Sequence, residues 1–83
     1  MQNQGYTILE RCTTGSRGFA LGHNPNAPLQ YVTWQYRADE PDQYFWGHYL
    51  ESKAAAYEDY YRRIARSTQI NTHADRRGGG RVR

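Results

Sequence analysis

Apolar and polar residues alternate along much of the first fifty positions, which is the pattern of half-buried β-strands. The alternating segments are rich in aromatic and β-branched residues, which pack well on a pleated surface. Glycine, proline, asparagine and aspartate separate the segments and favour turns. The pattern predicts four strands, at residues 6–13, 19–21, 29–37 and 43–50.

Helical periodicity replaces this alternation after residue 51. Ser52 is the predicted N-cap, because its hydroxyl can accept hydrogen bonds from the first amides of a helix. Residues 53 to about 67 lack glycine and proline and include three consecutive alanines, so they are predicted to form one helix. Its apolar stripe consists of Ala56, Tyr57, Tyr60, Tyr61 and Ile64. The β-β-β-β-α order predicts an α+β fold, with a small antiparallel sheet of three or four strands and one C-terminal helix packed on one face.

The aromatic residues exceed what a single helix can cover. The chain has eight tyrosines, two tryptophans and two phenylalanines, and each buried ring removes about 150–250 Å² from water. Strict alternation groups Val32, Trp34 and Tyr36 on one face, and it separates Tyr44, Trp46 and His48 from Phe45, Gly47 and Tyr49. Since one helix covers only one face, we expect some rings to be exposed as a binding surface.

The charge of the chain is divided between a body and an arm. Residues 1–61 contain four basic and seven acidic residues, a formal charge of −3, whereas residues 62–83 contain seven arginines and one aspartate, a charge of +6. Apolar periodicity also stops after residue 68. We therefore predict a single small α+β domain over residues 1–67 and a disordered, basic, Arg/Gly-rich tail over residues 68–83.

The cysteine, the histidines and the absence of cofactor-binding motifs indicate that the protein is not an enzyme. Cys12 is the only cysteine, which excludes an intramolecular disulfide, and His23, His48 and His73 lack the paired spacing of a metal site. The chain has no phosphate-binding loop and no dinucleotide fingerprint. No stretch has the length and hydrophobicity of a signal peptide or a bilayer span. We expect no catalytic residue, metal, cofactor or membrane contact.

Two segments, GFALGHNPNAPLQYVTWQYR and YFWGHYLESKAAAYEDYYRR, carry a resemblance to known proteins. They resemble a group of small uncharacterised proteins encoded in phages and conjugative elements of Gram-positive bacteria. The shared features are the NPxAP motif at residues 24–28, the YVTW string at residues 31–34, the YFWGHY string at residues 44–49 and an alanine-bearing helix. The resemblance spans roughly residues 19–64 and implies a mobile element, with the protein in the cytoplasm of a bacterial host.

The segment from residue 44 to residue 65 is also similar to the last strand and helix of three-stranded-sheet DNA-binding domains. These include the plant ethylene-response-factor type and the arm-binding domain of transposon integrases. The matching residues are Trp46, Gly47, Tyr49, Ser52, Ala55 and Ala56. This similarity implies a sheet that lies in the major groove, with strand arginines on bases and phosphates.

Our leading hypothesis is a non-enzymatic nucleic-acid-binding accessory protein of a mobile element, with DNA or RNA as its partner. Flexible arginine–glycine segments follow phosphates, and exposed rings stack on bases. The arginines predicted to capture nucleic acid are Arg37, Arg62, Arg63, Arg66, Arg76, Arg77, Arg81 and Arg83. The predicted aromatic face consists of Tyr31, Tyr44 and Trp46, with Arg37 beside it.

The alternative hypothesis is a protein-binding inhibitor of a host defence enzyme, for example an anti-CRISPR protein that blocks a CRISPR nuclease. The acidic body would occupy the basic nucleic-acid channel of its target, with aromatic residues as interface anchors. The predicted interface residues are Asp39, Glu40, Asp42, Glu58 and Asp59. Exposed rings would also allow a homodimer.

Overall fold

The alternating segments form one antiparallel sheet, and the C-terminal segment forms a helix, in the computed structural model. The structure describes the backbone of residues 2–76 and the side chains of residues 2–67. Strands β1 (Gln2–Asn3), β2 (Tyr6–Thr14), β3 (Arg17–His23), β4 (Tyr31–Arg37) and β5 (Glu40–Leu50) are followed by helix α1 (Lys53–Arg76). Each strand pairs with its neighbours in sequence, so the sheet order is β1-β2-β3-β4-β5. The α+β fold is confirmed, but within the described residues the sheet has five strands rather than three or four.

The strands differ from the prediction at positions where the alternation of apolar and polar residues gives no signal. β1 contains two polar residues, so it carries no alternating signal, and the turn that joins it to β2 uses positive φ angles at Gln4 and Gly5. β5 begins at Glu40 instead of residue 43 and includes Pro41. Proline is tolerated there because β5 lies at an edge of the sheet, where a missing N–H need not break a ladder.

The helix begins as predicted and ends later. The Oγ of Ser52 accepts a hydrogen bond from the backbone N–H of Ala55 at 3.1 Å, which confirms the N-cap. α1 continues to Arg76, so the predicted boundary between body and arm at residue 67 falls within the helix. Residues 77–83 of the predicted disordered arm lie outside the described residues. Within the described part of the chain, no helix combines the length and apolar character needed to cross a membrane.

The face of the sheet that packs against α1, here called the helix face, holds one of two cores. Phe19 and Leu21 of β3 are buried there against Ala56 and Tyr60 of α1. Partly buried side chains surround this cluster, namely Cys12, Tyr31, Leu50, Tyr57 and Ile64. The helix face therefore needs a second element of structure to exclude water.

The opposite face, here called the curled face, is buried without a second helix. Its core consists of Tyr6, Ala20, Val32, Trp34 and Tyr36. Trp34 and Tyr36 are only 2% and 1% exposed, although no described helix covers them. Some rings are exposed as expected, namely Trp46, Tyr49 and Tyr61, but Trp34 and Tyr36 of the uncovered face are not among them.

Curling of the sheet explains this burial. Strands β2 and β5 are three spacings apart, or about 14 Å in a flat sheet, yet their side chains touch. The Arg11 guanidinium of β2 donates a hydrogen bond to the Pro41 carbonyl at 3.1 Å and lies 4.8 Å from the centre of the Tyr36 ring. Near the other end of these strands, the rings of Tyr6 and Tyr49 approach to 6.1 Å. The two strands thus close over the aromatic core.

Glycines on neighbouring strands make room for these rings. A Cβ atom at Gly18 would lie 2.2 Å from the Tyr36 ring, which is far inside van der Waals contact. A Cβ at Gly22 would meet the Trp34 ring at 3.3 Å, and one at Gly47 would meet the Trp34 indole nitrogen at 3.0 Å. The rings of β4 therefore lie flat across the backbone of the flanking strands, which lets the sheet curl tightly around them.

Candidate functional site

A β-bulge in β5 exposes the largest ring on the molecular surface. Thr33 pairs with His48 and Gln35 pairs with Phe45, so one intervening residue of β4 faces two of β5. Trp46 is the residue at which the strand departs from extended geometry, with a φ of 54° in the left-handed region. Its side chain is 68% exposed. We call Phe45, Trp46 and Gly47 the Trp46 bulge.

The bulge also reverses the alternation of every residue that follows it. Gly47 faces Trp34 and Tyr49 faces Tyr6, so both belong to the curled face together with Tyr44. His48 instead points to the helix face, where it meets Asp59. The predicted grouping of Tyr44, Trp46 and His48 on one face is therefore wrong, because the extra residue shifts the register by one.

Arg63 connects the bulge to the helix. Its Nη2 donates to the Trp46 carbonyl at 2.9 Å, and its Nη1 donates to the carbonyl and the Oγ1 of Thr33 at 3.1 Å and 2.9 Å. The guanidinium also lies 5.8 Å from the centre of the Phe19 ring. Burial lowers the pKa of Arg63, and the charge of Asp59 acts in the opposite direction. Arg63 therefore braces the fold instead of projecting toward a partner.

Asp59 is the second member of this polar contact between helix and sheet. Its Oδ2 accepts hydrogen bonds from Thr33 Oγ1 at 2.5 Å and from His48 Nδ1 at 2.9 Å. Burial alone would raise the pKa of Asp59, but the hydrogen bonds from Thr33 and His48, with the electrostatic effects of His48 and Arg63, lower it overall. The carboxylate is thus held in its ionised form beneath the bulge.

Two further helix arginines of the predicted set, Arg62 and Arg66, flank Arg63 in the sequence of α1. Arg62 pairs with Glu58 at 3.5 Å and with Asp59 at 3.8 Å, and its side chain is still more than half exposed. Arg66 is exposed one turn beyond Arg62. Arg63 lies between them in sequence and holds the Trp46 carbonyl, so this basic stretch of α1 includes the helix residue that contacts the bulge.

The predicted aromatic face does not form a single surface. Tyr31 lies on the helix face, with its ring 4.5 Å from that of His23. Tyr44 lies on the curled face, with its ring stacked 5.3 Å from Trp34, and burial raises its pKa. Only Trp46 of the three is mostly exposed.

The other predicted residues lie at several separate places. Arg37 is exposed at the turn between β4 and β5, where its guanidinium donates to both carboxylate oxygens of Asp39 at 3.0 Å and 2.8 Å. Glu40 and Asp42 are exposed near the same turn. Glu58 is exposed on α1, whereas Asp59 is largely buried under the bulge, so the five acids do not share one surface. The side chain of Arg76 and all of Arg77, Arg81 and Arg83 lie outside what the structure describes.

The described side chains contain no cluster of three or more histidine, cysteine, aspartate or glutamate residues suited to a metal ion. Among the same side chains, the structure brings together three residues that the sequence did not associate, Thr33, His48 and Arg63. A signal for the bulge was present, because an isolated glycine inside a strand, here Gly47, often marks a bulge.

Comparisons of the chain with protein-family models, with curated proteins and with solved structures give no significant match.

Proposed function

We propose that this protein is a non-enzymatic, single-strand nucleic-acid-binding protein that stacks a base on Trp46 and attracts the phosphate backbone with arginines of α1. The observation that carries the proposal is an exposed indole ring on a backbone held firmly by Arg63. A role as an accessory protein of a mobile element, in the cytoplasm of a bacterial host, belongs to the same proposal and rests on the resemblance of residues 19–64.

The conformation of Trp46 supports a functional role for its ring. A non-glycine residue in the left-handed region costs about 1–2 kcal/mol, and exposing an indole forgoes the burial that its large surface would give. Such local strain concentrates at binding sites. Stacking of one base on an aromatic ring contributes about 1–3 kcal/mol, which is enough to offset this cost.

The basic stretch that begins at Arg62 also suits a phosphate backbone. Residues 62–83 carry a formal charge of +6, and this stretch begins where α1 meets the bulge. Arg62 is engaged with Glu58 and, at the longer distance of 3.8 Å, with Asp59; the pair with Glu58 is exposed, and exposed ion pairs contribute only about 0–1 kcal/mol. A phosphate can therefore compete for Arg62 at little cost, whereas Arg63 is too deeply engaged to take part.

The direct test is fluorescence anisotropy of labelled single- and double-stranded DNA and RNA, titrated with the full chain at several salt concentrations. We expect single strands to bind best, with log affinity falling against log salt by about 0.7 per phosphate neutralised. Trp46→Ala should weaken single-strand binding by about 5- to 150-fold, the equivalent of one stacked base. Arg62→Gln tests the contribution of the helix arginine to binding. Lys53→Gln is its matched control, because it also removes one positive charge but lies at the first residue of α1.

The two tryptophans make a second readout possible. Trp34 is buried and Trp46 is exposed, so stacking should quench only the emission of Trp46. In Trp46→Phe the remaining Trp34 emission should stay constant on addition of nucleic acid. An absence of binding below roughly 10 μM at low salt would refute the proposal, since non-specific electrostatic association is already visible in that range.

Protein binding as an anti-defence inhibitor is the second candidate, and the position of β5 favours it. β5 is an edge strand with exposed carboxylates at Glu40 and Asp42, and it has no strand neighbour on its outer side among the described residues. Edge strands offer backbone groups for pairing with a partner. If this candidate is right, the full chain inhibits a CRISPR nuclease, and Glu40→Gln/Asp42→Asn removes the inhibition while Trp46→Phe preserves it.

A further inference from the structure

Two arginines lie directly opposite each other at the turn end of the sheet. Arg17 of β3 and Arg37 of β4 are paired across the two strands, so their side chains leave the same face. That face is the helix face, because the next pair on the same face is Phe19 with Gln35, and Phe19 belongs to the core under α1. Like charges directly opposite each other destabilise a sheet. The pair therefore has no structural advantage as it stands.

An open cavity lies beside this pair. It has a volume of about 420 Å³ and is lined by Ser16, Arg17, Gln35, Arg37, Ala38 and Asp39. The cavity is thus bordered by Asp39, whose side chain is an acceptor, and by residues whose side chains carry guanidinium, amide and hydroxyl donors. These are the donor groups that proteins use for phosphate oxygens, and arginine suits them best because its planar fork can bind two oxygens at once.

Two carboxylates compete with an incoming anion for Arg37 and so limit the affinity of this site. Asp39 accepts bonds from Nε and Nη2 of Arg37, which fixes the orientation of the guanidinium and leaves Nη1 on its other side. Glu40 pairs with Arg37 across β4 and β5 and adds a second negative charge. Both carboxylates are exposed and their attraction is screened by water, so an incoming phosphate competes with a weak ion pair.

We propose that Arg17 and Arg37 form a binding subsite for a phosphate ester, with Gln35 and Ser16 as further donors and Asp39 as the group that limits its affinity. The cavity and its lining residues support the binding of a phosphate group. That this phosphate belongs to a nucleic-acid backbone depends, in addition, on the proposed function. Arg37 is two residues from Gln35, which pairs with Phe45 beside Trp46. At about 3.3 Å per residue along β4, the backbone of Arg37 lies roughly 7 Å from that of Gln35, the residue paired with Phe45 of the Trp46 bulge.

The test is a titration of the full, isotope-labelled chain followed by NMR at constant ionic strength, with side-chain signals of the arginines as reporters. One arm uses a single-stranded oligonucleotide, and the other uses inorganic pyrophosphate as a free phosphate compound. We expect the Arg17 and Arg37 signals to shift with the oligonucleotide. Arg17→Gln and Arg37→Gln should each lower the salt slope of oligonucleotide binding by about 0.7, the share of one phosphate contact. Asp39→Asn should raise the affinity roughly threefold, the value of one exposed ion pair.

The outcomes separate the subsite from the proposed function. Lys53→Gln serves as the charge-matched control, and equal effects of Lys53→Gln and Arg17→Gln would overturn the subsite as a specific one. If Trp46→Ala weakens binding but the Arg17 and Arg37 signals do not move, the subsite fails and the proposed function stands. If pyrophosphate moves these signals while the oligonucleotide does not bind, the subsite stands with a small phosphate compound as its ligand and the proposed function fails.

Discussion

The two faces of the sheet bury their residues by different physical means. The curled face closes on itself, with Tyr36 and Trp34 lying flat on glycines of neighbouring strands. The helix face needs α1, and its contact includes a buried threonine, Thr33, with Asp59 and Arg63 around it. Stability on the curled face thus depends on shape, whereas on the helix face it also depends on charge and hydrogen bonding.

The Trp46 bulge lies where these two kinds of packing meet. Its carbonyl is held from the helix face by Arg63, and its following residue, Gly47, packs under Trp34 on the curled face. The indole ring of Trp46 takes part in neither core and remains exposed. Both cores thus fix the backbone of one surface residue, which is the arrangement expected of a preorganised binding site.

The largest effect is expected from a methyl group added to the curled face. Gly18→Ala places a Cβ 2.2 Å from the Tyr36 ring, and that ring cannot withdraw easily because its hydroxyl is bonded to Thr13 Oγ1 at 2.7 Å. Overpacking of this kind costs about 1–3 kcal/mol and sometimes more, so we expect at least 3 kcal/mol here. Urea unfolding measured by circular dichroism gives the difference.

A graded control tests whether the clash, and not the loss of glycine, causes this effect. Gly47→Ala places its Cβ 3.0 Å from Trp34 and Tyr49, a milder overlap, and should cost less than Gly18→Ala. Equal destabilisation by the two substitutions would contradict the packing described for the curled face.

The next largest effect is expected from the polar contact on the helix face. Asp59→Asn keeps the shape of the side chain but removes the charge that accepts from Thr33 and His48, which should cost about 1–3 kcal/mol near neutral pH. Asp42→Asn is the matched control, because Asp42 is exposed and its substitution should change stability by less than about 0.5 kcal/mol.

The same contact predicts a dependence on pH that the curled face does not share. The pKa of Asp59 is lowered in the folded state, so its carboxylate stabilises the fold above the unfolded value of 3.8, and this contribution is lost as the pH falls toward the folded value. The stability difference between the wild type and Asp59→Asn should therefore shrink below about pH 4. A difference that stays constant down to pH 2 would exclude this role for Asp59.

A smaller effect is expected where the helix begins. Ser52→Ala removes the acceptor for the Ala55 amide and should cost about 1 kcal/mol, while Ser52→Asp should restore most of it. Hydrogen exchange measures where the loss occurs. Protection should fall most in the first turns of α1 and least in the amides around Tyr36, which would show that the curled face does not depend on the helix cap.

The sequence predicted the parts of this fold that depend on local patterns. The α+β class, the N-cap at Ser52 and the shared face of Val32, Trp34 and Tyr36 all follow from periodicity and capping chemistry. Curling was not predictable in this way, because it depends on contacts between β2 and β5 that are distant in sequence. The faces of the residues after Trp46 were misassigned because a single extra residue inverts alternation. Arg63 was expected on the surface because it is charged. Its acceptors at Thr33 and Trp46 are distant in sequence, so the sequence alone did not indicate them.

The smallest expected change in stability is also the one that best separates folding from function. Trp46→Gly relieves the left-handed strain, but glycine gains unfolded-state entropy and the exposed ring contributes little burial, so the free energy of unfolding should change by less than about 1 kcal/mol. Trp46→Asn is the control, because asparagine tolerates the same conformation while also lacking the ring. Both variants should keep the Arg63 contact with the backbone and lose stacking of single-stranded nucleic acid, measured by anisotropy. Loss of several kcal/mol of stability in both variants would instead mean that the ring belongs to the core, and the strain at Trp46 would then require a structural explanation.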